Sequence, residues 1–389
     1  MNMTTKKDIF ERYLNEYLKA DKQRKGEILK TVCNITLMHQ KAAIRKFKRL
    51  QMRRGRDPEK RGRKTYYTPD VSVALKTIWK AASEICGELI QPIIAEYVTI
   101  LKRDKMWSHS EVTTAKLLQM SEATTKRRVG EFMKSRISKK GKSSTNPSNL
   151  KEIIPIFTGP WKGKPAGYGQ IDTVVHCGSS LIGDLIYSVN YTDVSTLWVS
   201  FNAQLNKGQG ATRDSLKRIK AKVPFPIYGM HPDTGSEFIN WVLKEWCREE
   251  SVELTRSRPN HKNDNAYVEQ KNGHVIRRFL GYSRLDQREV VPLINEMYDL
   301  LEIYLNHFVP SKKLIEKVRV GSKYQRKYDK AKTAYKRVLA DKTVAIEIKQ
   351  KLTVEHDQLN PLLLKRKIDM IIEEIFKVNR LLREQNSDI

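Results

Sequence analysis

One stretch of this chain restricts its folding more than any other. Residues 169–176 read GQIDTVVH, an apolar and β-branched run with the pattern of a strand, yet Asp172 sits in its middle. A carboxylate inside a strand needs a partner or a purpose, because burying a charge is costly. Two more acids stand in similarly constrained places. Asp233, in HPDTGSEF, follows the apolar segment at 225–228, where a strand ends and Thr234-Gly235 turns the chain toward a helix. Glu269, in NDNAYVEQKNG, falls on a stretch with helical spacing whose apolar face is Val268, Val275 and Phe279.

Sixty residues lie between the first two acids and thirty-five between the second and third. If the sheet folds under the helix, the three carboxylates converge. Converging acids repel unless a cation lies between them. Oxygen-only ligands suit Mg2+ or Mn2+. Two such ions held close activate an attacking hydroxyl and stabilise the leaving oxygen of a phosphoryl displacement.

These words and spacings resemble the D,D(35)E catalytic core of retroviral integrases and bacterial insertion-sequence transposases. DTGSEFINW resembles the block around that family's second acid. TRSRPNHKNDNAYVEQKNGHVIRR resembles the block carrying its glutamate. The resemblance implies a ribonuclease-H-like core and a polynucleotidyl transferase that cleaves DNA and joins strands. It further implies Asp172, Asp233 and Glu269 as catalytic and metal-holding residues, two Mg2+ or Mn2+ ions, and a homo-oligomer on DNA ends and target. A domesticated DNA-binding regulator without chemistry, and a metal-dependent nuclease without joining activity, are the alternatives. Retroviral relatives often carry lysines four and seven residues after the glutamate; here Gly273 and Ile276 stand there.

The 389 residues carry a formal net charge of +29. The basic excess sits in residues 1–150 and 311–389, while 151–310 is nearly balanced. Basic flanks around a neutral centre suit a chain whose arms hold a polyanion. No apolar helix face lies opposite the basic clusters, and no apolar run reaches membrane-spanning length, so a membrane role is not expected. Cys33, Cys86, Cys177 and Cys247 are widely spaced and form no CxxC pair, which argues against a zinc ribbon or a disulfide framework. The polar N-terminus has no leader pattern. A reduced, cytoplasmic and nucleoid-associated protein is expected.

The chain divides on this reading into four regions, multidomain α and α/β. Residues 1–65 form a helix-turn-helix unit with a basic linker at 52–65. Its second helix, about 37–51, offers Lys41, Arg45 and Lys46 to DNA; a solvated amphipathic helix pair fits the same pattern. Residues 66–150 hold a second helical unit and a polar linker at 135–150. There Ser121 can cap a helix presenting Thr124, Thr125, Lys126, Arg127 and Arg128; a solvated basic helix is the alternative.

Residues 160–310 form the core, a mixed sheet with flanking helices in the order βββαβαβαα. Arg256, Arg258 and Lys262 precede the glutamate helix, and Lys271, Arg277 and Arg278 follow Glu269. Each is either a phosphate contact or a solvated charge. Asn263 or Asn265 is expected to cap that helix, and His176 and His274 to pack or support the acids. Residues 311–389 are basic and mostly helical. Tyr324, Tyr328 and Tyr335 are interleaved with lysines and arginines, which suits either backbone binding or a solvated helix face. An amphipathic stretch at 362–382 closes the domain or pairs with another copy.

Overall fold

The computed structural model describes residues 3–53, 65–133, 154–157, 161, 163–233, 235–258 and 265–387. The linkers expected at 52–65 and 135–150 lie almost entirely outside the described residues. The chain forms two compact units, Met1–Tyr66 and Tyr67–Ile389.

The first unit is three helices, α1 (Met3–Lys19), α2 (Lys22–Thr36) and α3 (Gln40–Arg53). Asp21 starts α2 by accepting from the Arg24 amide at 2.8 Å, satisfying a donor the helix leaves open. Leu37, at φ 53°, ends α2, and α3 begins three residues later. Phe10, Ile28, Leu29, Val32, Ala43 and Phe47 form the small core, with Tyr17 stacked on Phe47 at 4.1 Å.

The second unit opens with α4 (Pro69–Ala81), α5 (Gly87–Ile90), α6 (Ile94–Arg103), α7 (Glu111–Leu118) and α8 (Glu122–Met133). The helical pattern from 68 to 101 is interrupted after α4, where Ser83 and Glu84 both take positive φ. Strands β1 (Tyr168–Val175), β2 (Ile186–Asp193) and β3 (Val199–Leu205) are antiparallel neighbours. After α9 (Gln209–Lys222), β4 (Gly229–Pro232) pairs parallel to β1. After α10 (Trp241–Glu249), the short β5 (Glu253–Leu254) pairs parallel to β4. The sheet order is β3-β2-β1-β4-β5, the mixed α/β arrangement expected of a ribonuclease-H-like core. Beyond the sheet come α11 (Ala266–Lys271), a π-helical turn (Asn272–Ile276), α12 (Arg277–Leu280) and α13 (Val290–Phe308).

Alternation along the strands divides the sheet residues between two cores. Val174, Ile186, Val199 and Phe201 pack with α13 on one face, while Ile171, Val189 and Tyr191 pack with α9 and α10 on the other. The first core also takes in Leu75, Ile78 and Tyr97 from the opening helices. Tyr304 of α13 donates to Ala81 O at 2.8 Å, and Tyr97 donates to Phe308 O at 3.3 Å. The helices of residues 67–133 therefore share their interior with the sheet.

The C-terminal region departs from the helical expectation in one place. Residues 314–328 form a hairpin of β6 (Leu314–Val320) and β7 (Lys323–Tyr328), turning at Gly321, φ 61°. The Gly-Ser pair between two short runs is a two-residue hairpin signal that charge counting obscures. Helices α14 (Ala334–Ala340), α15 (Ile346–Gln358) and α16 (Pro361–Ser387) follow. Ile368 and Ile375 of α16 enter the first core, so the last amphipathic stretch closes this unit. All four cysteines are free, and no described helix is long and apolar enough to cross a membrane.

His176 is fully buried behind β1, with Nε2 2.8 Å from Ser188 Oγ. Burial, aided by Arg277, lowers its pKa to about 3. The unfolded chain, near 6.5, binds this proton first, so the stabilisation from keeping His176 neutral is present above pH 6.5 and is lost as pH falls toward 3. Against a His176→Gln variant, the wild type should lose up to about 1.4 kcal/mol of relative stability per pH unit in that window. Denaturant melts at pH 7, 5.5 and 4 measure it; parallel pH curves for the two proteins would refute it.

Candidate active site

Strand β1 runs through the middle of the sheet and sets the first acid. Asp172 lies opposite Asn190 of β2. It is half-buried, and its Oδ1 accepts from the Thr173 amide at 2.8 Å. The parallel pairing of β1 and β4 ends at Ile171 with Pro232. The next residue on each strand is Asp172 or Asp233, so strand register alone brings these two acids alongside each other. Asp233 Oδ1 accepts from the Gly235 amide at 2.8 Å, an Asx-type turn that directs the chain away from the strand.

Glu269 arrives from α11, whose first turn is held from below. Gln170 of β1 accepts from the Tyr267 and Val268 amides at 2.9 and 3.3 Å. This glutamine, two residues before Asp172, does the capping work expected of Asn263 or Asn265. Asn265 occupies the cap position without a side-chain cap bond, and Asn263 lies outside the described residues. Asn190 Nδ2 donates to Val268 O at 3.4 Å, adding a second tie between sheet and helix.

Asn272 completes the connection. Its Nδ2 donates to Asp172 Oδ2 at 2.6 Å, and its Oδ1 accepts from Asn190 at 3.0 Å. It stands three residues after Glu269, at the start of the π-helical turn, a feature frequent at functional sites. Glu237 is a fourth acid. It is 4% exposed, its Oε1 accepts from Thr173 Oγ1 at 3.2 Å, and its Oε2 is buried without a hydrogen-bond partner. Gln170, Asn272 and Glu237 were not singled out by sequence reasoning. Glu237 and Asn272 do stand inside the two quoted blocks, DTGSEFINW and TRSRPNHKNDNAYVEQKNGHVIRR, and Asn272 is i,i+3 from Glu269.

The acids act on one another. Burial and then the charge of Asp233 push the Asp172 carboxyl up to about 8; the Thr173 amide and Asn272 oppose the rise, and Glu269 adds a smaller push. Glu269 is itself exposed. Among the described residues, no three His, Cys, Asp or Glu side chains stand together as a ready metal cluster.

The basic candidates divide sharply. Arg128 is turned inward, donating to Tyr67 O at 2.7 Å and to Ser72 Oγ. Thr125 is buried and donates to Ser121 O at 3.0 Å, while half-buried Thr124 receives Ser121 as its cap. Lys126 is exposed near Glu88 and Glu122, and Arg127 is exposed. Arg256 is buried and donates to Ile154 O at 2.9 Å. Arg277 donates to Val175 O at 2.7 Å, and Arg278 donates to Ser83 O. Those bonds commit Arg128, Arg256 and Arg277 to holding backbone.

Lys271 is half-buried, and burial together with Arg337 lowers it to about 8. Arg258 is half-buried, and Lys262 lies outside the described residues. In the first unit, Lys41 and Arg45 are exposed on α3, while Lys46 Nζ sits 4.9 Å above the Phe10 ring. His274 has no described side chain.

No family model matches the chain. It is 32% identical over 332 residues to the uncharacterized protein y4rM of Sinorhizobium fredii (strain NBRC 101917 / NGR234), covering 84% of this chain and 93% of that one. The chain belongs to the same family as y4rM. Among solved structures it is similar to the HTLV-2 integrase catalytic core domain in complex with magnesium, at 13% identity and a TM-score of 0.30, over 39% of this chain and 93% of that one. It is also similar to a chain of the simian T-cell lymphotropic virus intasome in complex with PP2A regulatory subunit B56 gamma. That match has 16% identity and a TM-score of 0.26, over 31% of this chain and 43% of that one.

Proposed function

We propose that the chain is a polynucleotidyl transferase of the acidic-triad type, cutting DNA and joining strands in a transposition or integration reaction. The observation that carries this reading is the strand register that sets Asp172 beside Asp233 where β1 and β4 stop pairing, under a glutamate-bearing helix tied to β1 through Gln170 and Asn272. Burial, then the charges of Asp233 and Glu269, raise Asp172, and such crowding is stable only where a cation neutralises it or a proton is taken up.

The residues fit a divalent ion by donor chemistry. They offer carboxylate oxygens only, and the buried Oε2 of Glu237 is a donor atom with no hydrogen bond of its own. Asp172, Asp233 and Glu269 would hold Mg2+ or Mn2+. Bound there, two such ions supply activation of the attacking oxygen and charge stabilisation at the leaving oxygen. The protein does the rest by orientation. Thr173 N–H and Asn272 fix the two Asp172 oxygens, and Gln170 fixes the start of the glutamate helix. Glu269 is exposed on that helix. In the reaction a water or a DNA 3′-hydroxyl attacks phosphorus as the P–O bond to the leaving 3′-oxygen breaks, with no covalent protein intermediate.

The test is an Mg2+- or Mn2+-dependent cleavage and strand-transfer assay on DNA carrying the element's own ends. Joined products support the reading. Nicking without joining favours a nuclease, and DNA binding without either reaction favours a regulator.

A further inference from the structure

The hairpin β6–β7 is exposed along its whole length on both strands. A two-stranded ribbon with no covering layer is marginal in water. Its base, in contrast, is firmly anchored. Ser311 and Lys332 bridge across it, Asp329 accepts from the Lys313 amide at 2.6 Å, and Arg337 pairs with Asp329 and donates to Ser311 O at 2.9 Å. Lys313 Nζ reaches Ser195 O at 3.0 Å, fixing the stalk to the end of β2. The structure thus spends several bonds on presenting a blade to solvent.

The two faces of that blade differ. Lys317 lies opposite Arg326, and Arg319 opposite Tyr324. Alternation puts these four and Tyr328 on one face, with no acid among them. Like charges directly opposed across strands are destabilising, and none of the three cations is paired with an acid among the described residues. Lys317 Nζ sits 4.6 Å above the Tyr324 ring, and both tyrosines are about half exposed. The other face places Glu316 opposite Lys327 and carries Val318 and Val320.

We propose that the Lys317–Arg319–Arg326 face, with Tyr324 and Tyr328, docks the DNA backbone. The proposal deepens the enzymatic reading above and rests on it for the identity of the polyanion. Phosphates relieve the Lys317–Arg326 repulsion, and the tyrosine rings offer planes to unpaired bases.

The test measures DNA binding by full-length protein in EDTA, where no chemistry occurs, using fluorescence anisotropy with duplex and with oligo(dT) over a salt series. Because catalysis is silent, this outcome stands apart from that of the acid substitutions. For Lys317→Gln/Arg319→Gln/Arg326→Gln, duplex affinity should fall roughly tenfold or more, and the slope of log affinity against log salt should drop by about 2.7, or ~0.9 per phosphate. Tyr324→Ala/Tyr328→Ala should weaken oligo(dT) binding several-fold with the slope kept. Lys323→Gln/Lys327→Gln, on the opposite face, should change the slope little. Circular dichroism confirms folding. An unchanged slope in the triple variant, equal losses from both faces, or loss of self-association in place of DNA binding would overturn the proposal.

Discussion

Asp172→Asn, Asp233→Asn and Glu269→Gln should each lower cleavage and joining by at least about a hundredfold while leaving DNA affinity in EDTA within about twofold. The three should differ in stability. Asp172 is held at about 8 by burial and by its neighbours' charge, so at neutral pH its ionised form is strained. Replacing it with Asn removes that repulsion but turns an amide toward the Asn272 amide, which is already engaged by Asn190. Glu269 is exposed, and its substitution should leave the melting temperature unchanged. Activity assays and thermal melts on the same preparations separate the two effects. Wild-type rates in all three variants would end the catalytic assignment.

Gly169→Ala should be the most damaging single methyl in the sheet. A Cβ there would lie 2.0 Å from Tyr191 Cε2 and 2.3 Å from Cζ. Tyr191 is fully buried in the second core, so its ring has no room to yield. Overpacking of this kind costs about 1–3 kcal/mol and sometimes more, and relief by sliding β1 would displace Asp172 three residues on. We expect a melting temperature lower by several degrees together with reduced cleavage. The double variant Gly169→Ala/Tyr191→Leu should recover part of the stability, because the two sites are in contact and their effects are not additive. A single variant as stable as wild type would show that the close approach is not real.

Much of the core could be read in advance because its signals are local. Short apolar runs announced strands and longer helical spacings announced helices, so the order βββαβαβαα was legible, and Asp172 stood out as a charge inside a strand. The remainder depends on partners far along the chain. Gln170 caps a helix almost a hundred residues away, and nothing near either residue announces it. Arg128 and Arg256 look like free cations in sequence, but both are spent on main-chain carbonyls that only the fold brings near. Residues 66–150 looked like a separate module because a polar linker follows them; the apolar faces that merge them with α13 and α16 carry no mark of their destination.

That merging has an evolutionary consequence. A segment whose interior belongs partly to its neighbour cannot be traded between relatives without its counterpart changing in step. Among the described residues, the three-helix unit at the N-terminus has an interior of its own and is free of that constraint. The described residues from Tyr67 onward, by contrast, are expected to vary together, because α4–α8, the sheet, α13 and α16 pack into shared cores.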